Sequence, residues 1–194
     1  MKRRMVITTM GRLSVSVDGR PLRLDLSPLR LELFTSLLSP FDPYQRWERL
    51  AQILDEPDSG RRRCRLAGEL FEISAHFIRH SGVDPLVMGD EGVTIDRSRV
   101  LVDVVGIVDS LNRALDCFRT GKREEGIRLA AELLPLLQGE YLPGIHGRII
   151  DRTREDLDDL ISIIRRHPDR HSPISPGMII PFSPEGNMAW ISAV

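Results

Sequence analysis

RRRCRLAGELFEISAHFIRHSGVDPLVMGDEGVTI, residues 61–95, is the stretch whose reading decides the fold. Leu66, Leu70, Ile73 and Phe77 recur at i, i+4, i+7 and i+11, one stripe of a helix over about Arg61 to His80. Phe71 and Ile78 are expected to widen that stripe. At 100° per residue the opposite face carries Arg61, Arg65, Gly68, Glu72, His76 and Arg79, with Glu69 at its edge. Arg61, Arg62, Arg63 and Arg65 crowd the helix start, where positive charge opposes the helix dipole. An anion such as phosphate relieves that cluster; solvation, or pairing with Asp55, Glu56 and Asp58, is the alternative. Gly82 ends the helix. Leu86-Val87-Met88 and Val93-Thr94-Ile95 then flank a glycine-bounded turn, Gly89-Asp90-Glu91-Gly92, and read as a hairpin.

Upstream, Ser27-Pro28 is a helix start, with Ser as N-cap and Pro at the first helical position. Leu29, Leu33, Phe34 and Leu37 follow at helical spacing, and Ser39-Pro40-Phe41-Asp42-Pro43 stops them. A second helix is predicted from about Tyr44 to Leu54, with Trp47, Leu50 and Leu54 on one face. The first 26 residues read as three short strands: Met5 to Thr9, Leu13 to Val17, and the alternation Leu22, Leu24, Leu26. Asp18-Gly19 supplies the tight turn between the last two. Strands, three helices and a terminal hairpin describe a winged helix over residues 1–100, in which the helix before the hairpin can enter the major groove of DNA.

Downstream the pattern is helical. Asp103 to Arg119 carries Val104, Val105, Val108, Leu111 and Leu115. Gly121 turns the chain into Glu124 to Leu137, with Pro135 as a kink or end. Two helices joined by a short turn make the αα-hairpin of TPR-like stacks. A further helix runs from about Ile149 to Arg166. The expected fold is therefore α+β, mostly α: a winged helix-turn-helix with N-terminal β-strands and a C-terminal β-hairpin, followed by TPR-like α-helices over residues 101–166. Residues 167–194 read as a tail with five prolines between His167 and Pro184. Its apolar segments, Met178 to Phe182 and Met188 to Ile191, are expected to dock on the domain or on a partner.

Composition narrows the function. Of 194 residues, 41% are apolar and 28% charged, as in a folded soluble protein. No apolar run approaches the ~20 residues of a membrane helix, and Met1-Lys2-Arg3-Arg4 lacks the apolar core and cleavage site of a signal peptide. The expectation is a cytoplasmic protein with no membrane partner. Cys64 and Cys117 are far apart, which argues against a disulfide framework or zinc knuckle. The net charge of −1 conceals an asymmetry: residues 1–82 hold 14 basic and 10 acidic groups, residues 83–194 hold 13 and 18. Twenty-five of the 27 basic residues are arginine, suited to bidentate phosphate contact.

The order of motifs resembles the bacterial transcriptional activators of the antibiotic-regulator (SARP) type. The resemblance is carried by Gly11-Arg12-Leu13 to Asp18-Gly19, Leu29 to Leu37, Val102-Asp103, Gly121-Lys122-Arg123-Glu124-Glu125-Gly126, Gly139-Glu140-Tyr141-Leu142-Pro143-Gly144, and Arg154 with Leu157. It spans roughly residues 5–166. It implies a response-regulator-like winged helix followed by an all-helical activator domain. Three features depart from that family. The hairpin tip is Asp90-Glu91, where two carboxylates repel phosphate. The presumed recognition face carries Glu69 and Glu72. The helical domain is shortened, ending after about three helices.

Two functional readings follow. In the first the chain is a sequence-specific DNA-binding regulator. Arg61, Arg62 and Arg63 would contact phosphates, and Arg65, Glu72, His76 and Arg79 would face base edges. The helical part would bind transcription machinery or a second copy of the chain. In the second, the winged helix is degenerate and binds proteins without DNA. Catalysis is not expected, since no nucleophile signature, phosphate loop or calcium loop is present. No cofactor and no metal is expected either: His76 and His80, like His167 and His171, are four apart, but no glutamate lies between them as in a zinc protease.

Overall fold

A computed structural model describes residues 4–166 apart from 55, 57 and 138. The expectations for the 167–194 tail lie outside the described residues. Strands β1 (Met5–Thr8), β2 (Ser14–Val17) and β3 (Arg20–Leu22) form an antiparallel meander. Its turn is Asp18-Gly19, with φ of 50° and 78°, as the dipeptide predicts. The third strand is shorter than expected: it ends at Leu22, and Leu24 and Leu26 instead pack against the core from an irregular segment.

Helix α1 (Pro28–Ser36) starts where Ser27 and Pro28 place it, the Ser27 hydroxyl accepting from the Arg30 N–H at 3.4 Å. The helix expected over Tyr44 to Leu54 is corrected. Tyr44–Arg46 is a strand, β4, and helix α2 covers Trp47–Ala51 alone. The reason is tertiary. Strand β4 is captured by β6 (Gly92–Ile95), which also pairs with β5 (Leu86–Met88), giving a sheet ordered β4-β6-β5. Gly92 permits that pairing, since a Cβ there would stand 2.2 Å from the Gln45 carbonyl oxygen.

Helix α3 (Ser59–Ser81) is longer than expected at its start, because Asp58 caps it by accepting from the Arg61 N–H at 2.8 Å. Gly82 closes it at φ 71°. Leu66, Leu70, Ile73 and Phe77 are wholly buried, with Phe77 packed 4.8 Å, centroid to centroid, from Phe34 of α1. Each such side chain contributes about 1.5–3 kcal/mol by leaving water.

After the hairpin, Val100–Val102 forms an unforeseen strand, β7, parallel to β1, so the first sheet is ordered β3-β2-β1-β7. The chain passes from it straight into α4 (Asp103–Arg119) and then α5 (Arg123–Leu133). Pro135 ends α5 as an α-helix; Leu134–Leu137 is a 3-10 turn. Helix α6 (Arg148–Arg166) completes the fold.

Two apolar cores result. One lies under the winged helix, the other among α4, α5 and α6, and Ile149 of α6 belongs to the first. The seam between them is polar. The Asp103 carboxylate accepts from the Thr9 N–H at 2.8 Å, the Thr9 hydroxyl at 2.6 Å and the Met10 N–H at 3.2 Å. Backbone bonds join Gly11 N to Glu140 O at 2.9 Å and Leu142 N to Thr9 O at 2.8 Å. The Arg154 guanidinium donates to the carbonyls of Tyr141, Leu142 and Ile145 at 2.9, 2.6 and 2.6 Å. Gly139, at φ 112°, sits where a Cβ would meet the Gly11 Cα at 2.7 Å. The element Gly139 to Gly144 is thus the strap that fastens the helical part to β1.

Candidate nucleic-acid interface

Helix α3 has one buried face, and among the described residues nothing covers the face opposite it. At about 100° per residue, the direction away from Leu66, Leu70, Ile73 and Phe77 runs through Gly68 and Ala75. Phe71 lies to one side of that line; Arg65, Glu72 and Arg79 lie to the other. The expectation that Phe71 and Ile78 widen the core stripe is therefore corrected: they are 65% and 49% exposed. Their positions fall outside the arc that α1 and α2 cover, and hydrophobicity alone does not reveal which arc that is.

The arginines at the helix start divide into two sets. Arg62 Nε donates to the Glu56 carbonyl, and Arg63 Nη2 donates to the Asp90 carbonyl at 3.3 Å. The Arg63 guanidinium also stands 6.0 Å from the centre of the Trp47 ring. Arg61, Arg65 and Arg79 are exposed, and none makes a side-chain hydrogen bond or ion pair among the described residues. The two acids of the face are held from α1: Arg30 Nε binds Glu69 at 2.7 Å, and its Nη1 lies 3.5 Å from Glu72. Arg30 is a residue sequence reasoning missed, since nothing local couples positions 39 apart. His76 is half-buried, its ring centre 4.7 Å from that of His80 with the planes tilted by 50°, and its Nε2 is buried with no hydrogen-bond partner among the described residues.

The wing is fixed by Trp47, the second residue whose part the sequence did not show. Its indole N–H is shared between the carbonyls of Gly89 at 3.1 Å and Asp90 at 3.0 Å, and its backbone N–H donates to Glu91 O at 3.1 Å. The tip carboxylates of Asp90 and Glu91 remain exposed. Tyr44 on β4 and Val87 on β5 flank Thr94 in one row across this sheet, and both are exposed, as is Met88. Among the described residues, no group of three or more His, Cys, Asp or Glu side chains converges on a metal-sized site, and no helix is long and apolar enough to cross a membrane.

A helix with an exposed, arginine-flanked face beside a braced hairpin, backed by a helical domain, is the arrangement of a winged-helix fold joined to a helical domain. Among solved structures the chain is similar to EmbR of Mycobacterium tuberculosis, determined in complex with a low-affinity phosphopeptide, at TM-score 0.64 and 16% identity. The match covers 84% of this chain and 44% of that one, so the chain spans less than half the length of that protein. The likeness establishes the shared fold, a winged helix joined to a helical domain. No protein-family model and no curated protein sequence matches the chain.

Proposed function

We propose that the chain is a sequence-specific DNA-binding transcriptional regulator of the bacterial activator type, working in the cytoplasm. Helix α3 is its reading element, and the α4–α6 unit contacts transcription machinery or a second copy of the chain. The observation that supports this reading is the outward face of α3, whose Arg61, Arg65 and Arg79 side chains are exposed and have no acceptor among the described residues. Arginines without internal acceptors at a helix start suit phosphate and base edges. Arg62 and Arg63 serve first to seat the helix start and the wing, and reach phosphate from those positions. Glu72 and His76 flank the base-facing set.

The test is duplex binding by fluorescence anisotropy across a salt series. Binding to a random duplex should weaken as salt rises, and R61A/R65A should flatten the log–log slope by about 1 for each phosphate no longer neutralised. No salt-dependent binding at low salt, with no motif returned by selection from random duplexes, removes this reading. A second reading, a winged helix that binds proteins and no DNA, is favoured by the acidic wing tip and by exposed Phe71. Capture of a defined partner whose binding survives R61A/R65A would support it.

A further inference from the structure

Phe71 is the largest exposed apolar side chain on α3, and its surroundings are unusual. The positions three and four residues away on the helix surface are Ala67, Gly68, Ser74 and Ala75, all small. Gly68 has open space where a Cβ would stand. The ring therefore projects from the middle of a 23-residue helix with small neighbours around it, and Arg65, Glu72 and Arg79 lie to one side, the two arginines without an acceptor among the described residues. A helix so built can approach a surface closely, touching it first with one flat apolar group. Arg30 stands 3.5 Å from Glu72 and offsets its charge, so Arg65 and Arg79 leave this side cationic and favour a polyanion over an apolar protein groove.

Resting on the DNA-binding reading above, we infer that Phe71 is a specificity-determining residue that packs on the C5-methyl groups of thymine in the major groove. That methyl is the apolar feature of the groove floor, and aromatic side chains are among those that contact it. Ile78, two turns further on and on the same side of the helix, extends the contact toward the adjoining bases. Arg65 and Arg79 hold the backbone or a purine edge alongside.

Deoxyuridine substitution tests this directly, because it removes the methyl and leaves every hydrogen-bonding group in place. The full chain is first used to select its preferred duplex. Each thymine is then replaced singly, and binding is measured for the wild type and F71A. At one or two positions the substitution should weaken wild-type binding about fourfold, the worth of one buried methyl. The same substitution should leave F71A unchanged, while F71A keeps the wild-type salt slope and thermal melt. Duplex binding that is indifferent to deoxyuridine at every position overturns the inference and leaves the regulator reading standing. So does an equal loss in wild type and F71A. A wild-type dimer in sedimentation velocity that F71A dissociates, with thymine preference intact, assigns the ring to contact between copies and also overturns it. Absence of any duplex binding removes both.

Discussion

Glu32 of α1 shows how a single side chain reports the packing around it. Its carboxylate lies against Gly147, where a Cβ would meet Oε1 at 2.6 Å. Burial raises its pKa above the usual 4.5, and the nearby Asp151 carboxylate adds to the effect. A carboxylate whose pKa is raised on folding binds protons more tightly in the native state. Its ionised form therefore costs stability at neutral pH, and the cost fades as pH falls toward the unfolded-state value. E32Q should melt above the wild type at pH 7, and the gap should close below about pH 4.5. Thermal melts at both pH values check it; an equal gap at both would show that charge is not the cause. Tyr141 is a harsher case of burial. Its hydroxyl lies in the seam with no hydrogen-bond partner among the described residues, and burial holds its pKa well above the ordinary phenol range.

At the scale of elements, the wing and α3 behave as one body because Trp47 joins them. Its indole N–H and Arg63 both bind wing carbonyls, so the hairpin tip is braced by α2 and by the start of α3. W47F keeps most of the apolar packing and deletes the shared N–H. Stability should fall by about 1 kcal/mol, the net worth of a hydrogen bond. Amide exchange over residues 89–92 should accelerate more than exchange in α1. Equal acceleration everywhere would mean the wing is held by packing instead. The caps of α1 and α3 were legible in Ser27-Pro28 and Gly82, since capping is a local transaction between a side chain or a glycine and its own helix end. Strand β4 was not, because Tyr44-Gln45-Arg46 has no alternation to show, and what makes it a strand is Gly92, far along the chain.

For the whole molecule, the seam decides whether the two cores act together. Asp103 ties the end of β1 to the first turn of α4, and Arg154 ties α6 to the Gly139 to Gly144 strap. D103A would strand the Thr9 N–H and hydroxyl at a site where Thr9 is wholly buried. The cost should be about 2–3 kcal/mol, read as a lowered urea midpoint. Because Ile149 sits in the winged-helix core, that loss should appear in one shared transition for both cores, followed by circular dichroism and amide exchange. Separate transitions would show that the seam does not couple them.

By itself the sequence determined what is periodic and local: the core stripe of α3, the Asp18-Gly19 turn, the helix caps, and the order of a winged helix followed by helices. Those features follow from side-chain spacing and from the dihedral freedom of a few residues, which neighbours in sequence supply. Only the tertiary structure decided what depends on distant partners. It paired β7 with β1, made β4 a strand, set Arg30 on Glu69, and engaged Arg62 and Arg63 within the fold. It also turned Phe71 outward, because the arc of a helix that is buried is set by the elements packed against it, and hydrophobicity alone cannot say where they lie.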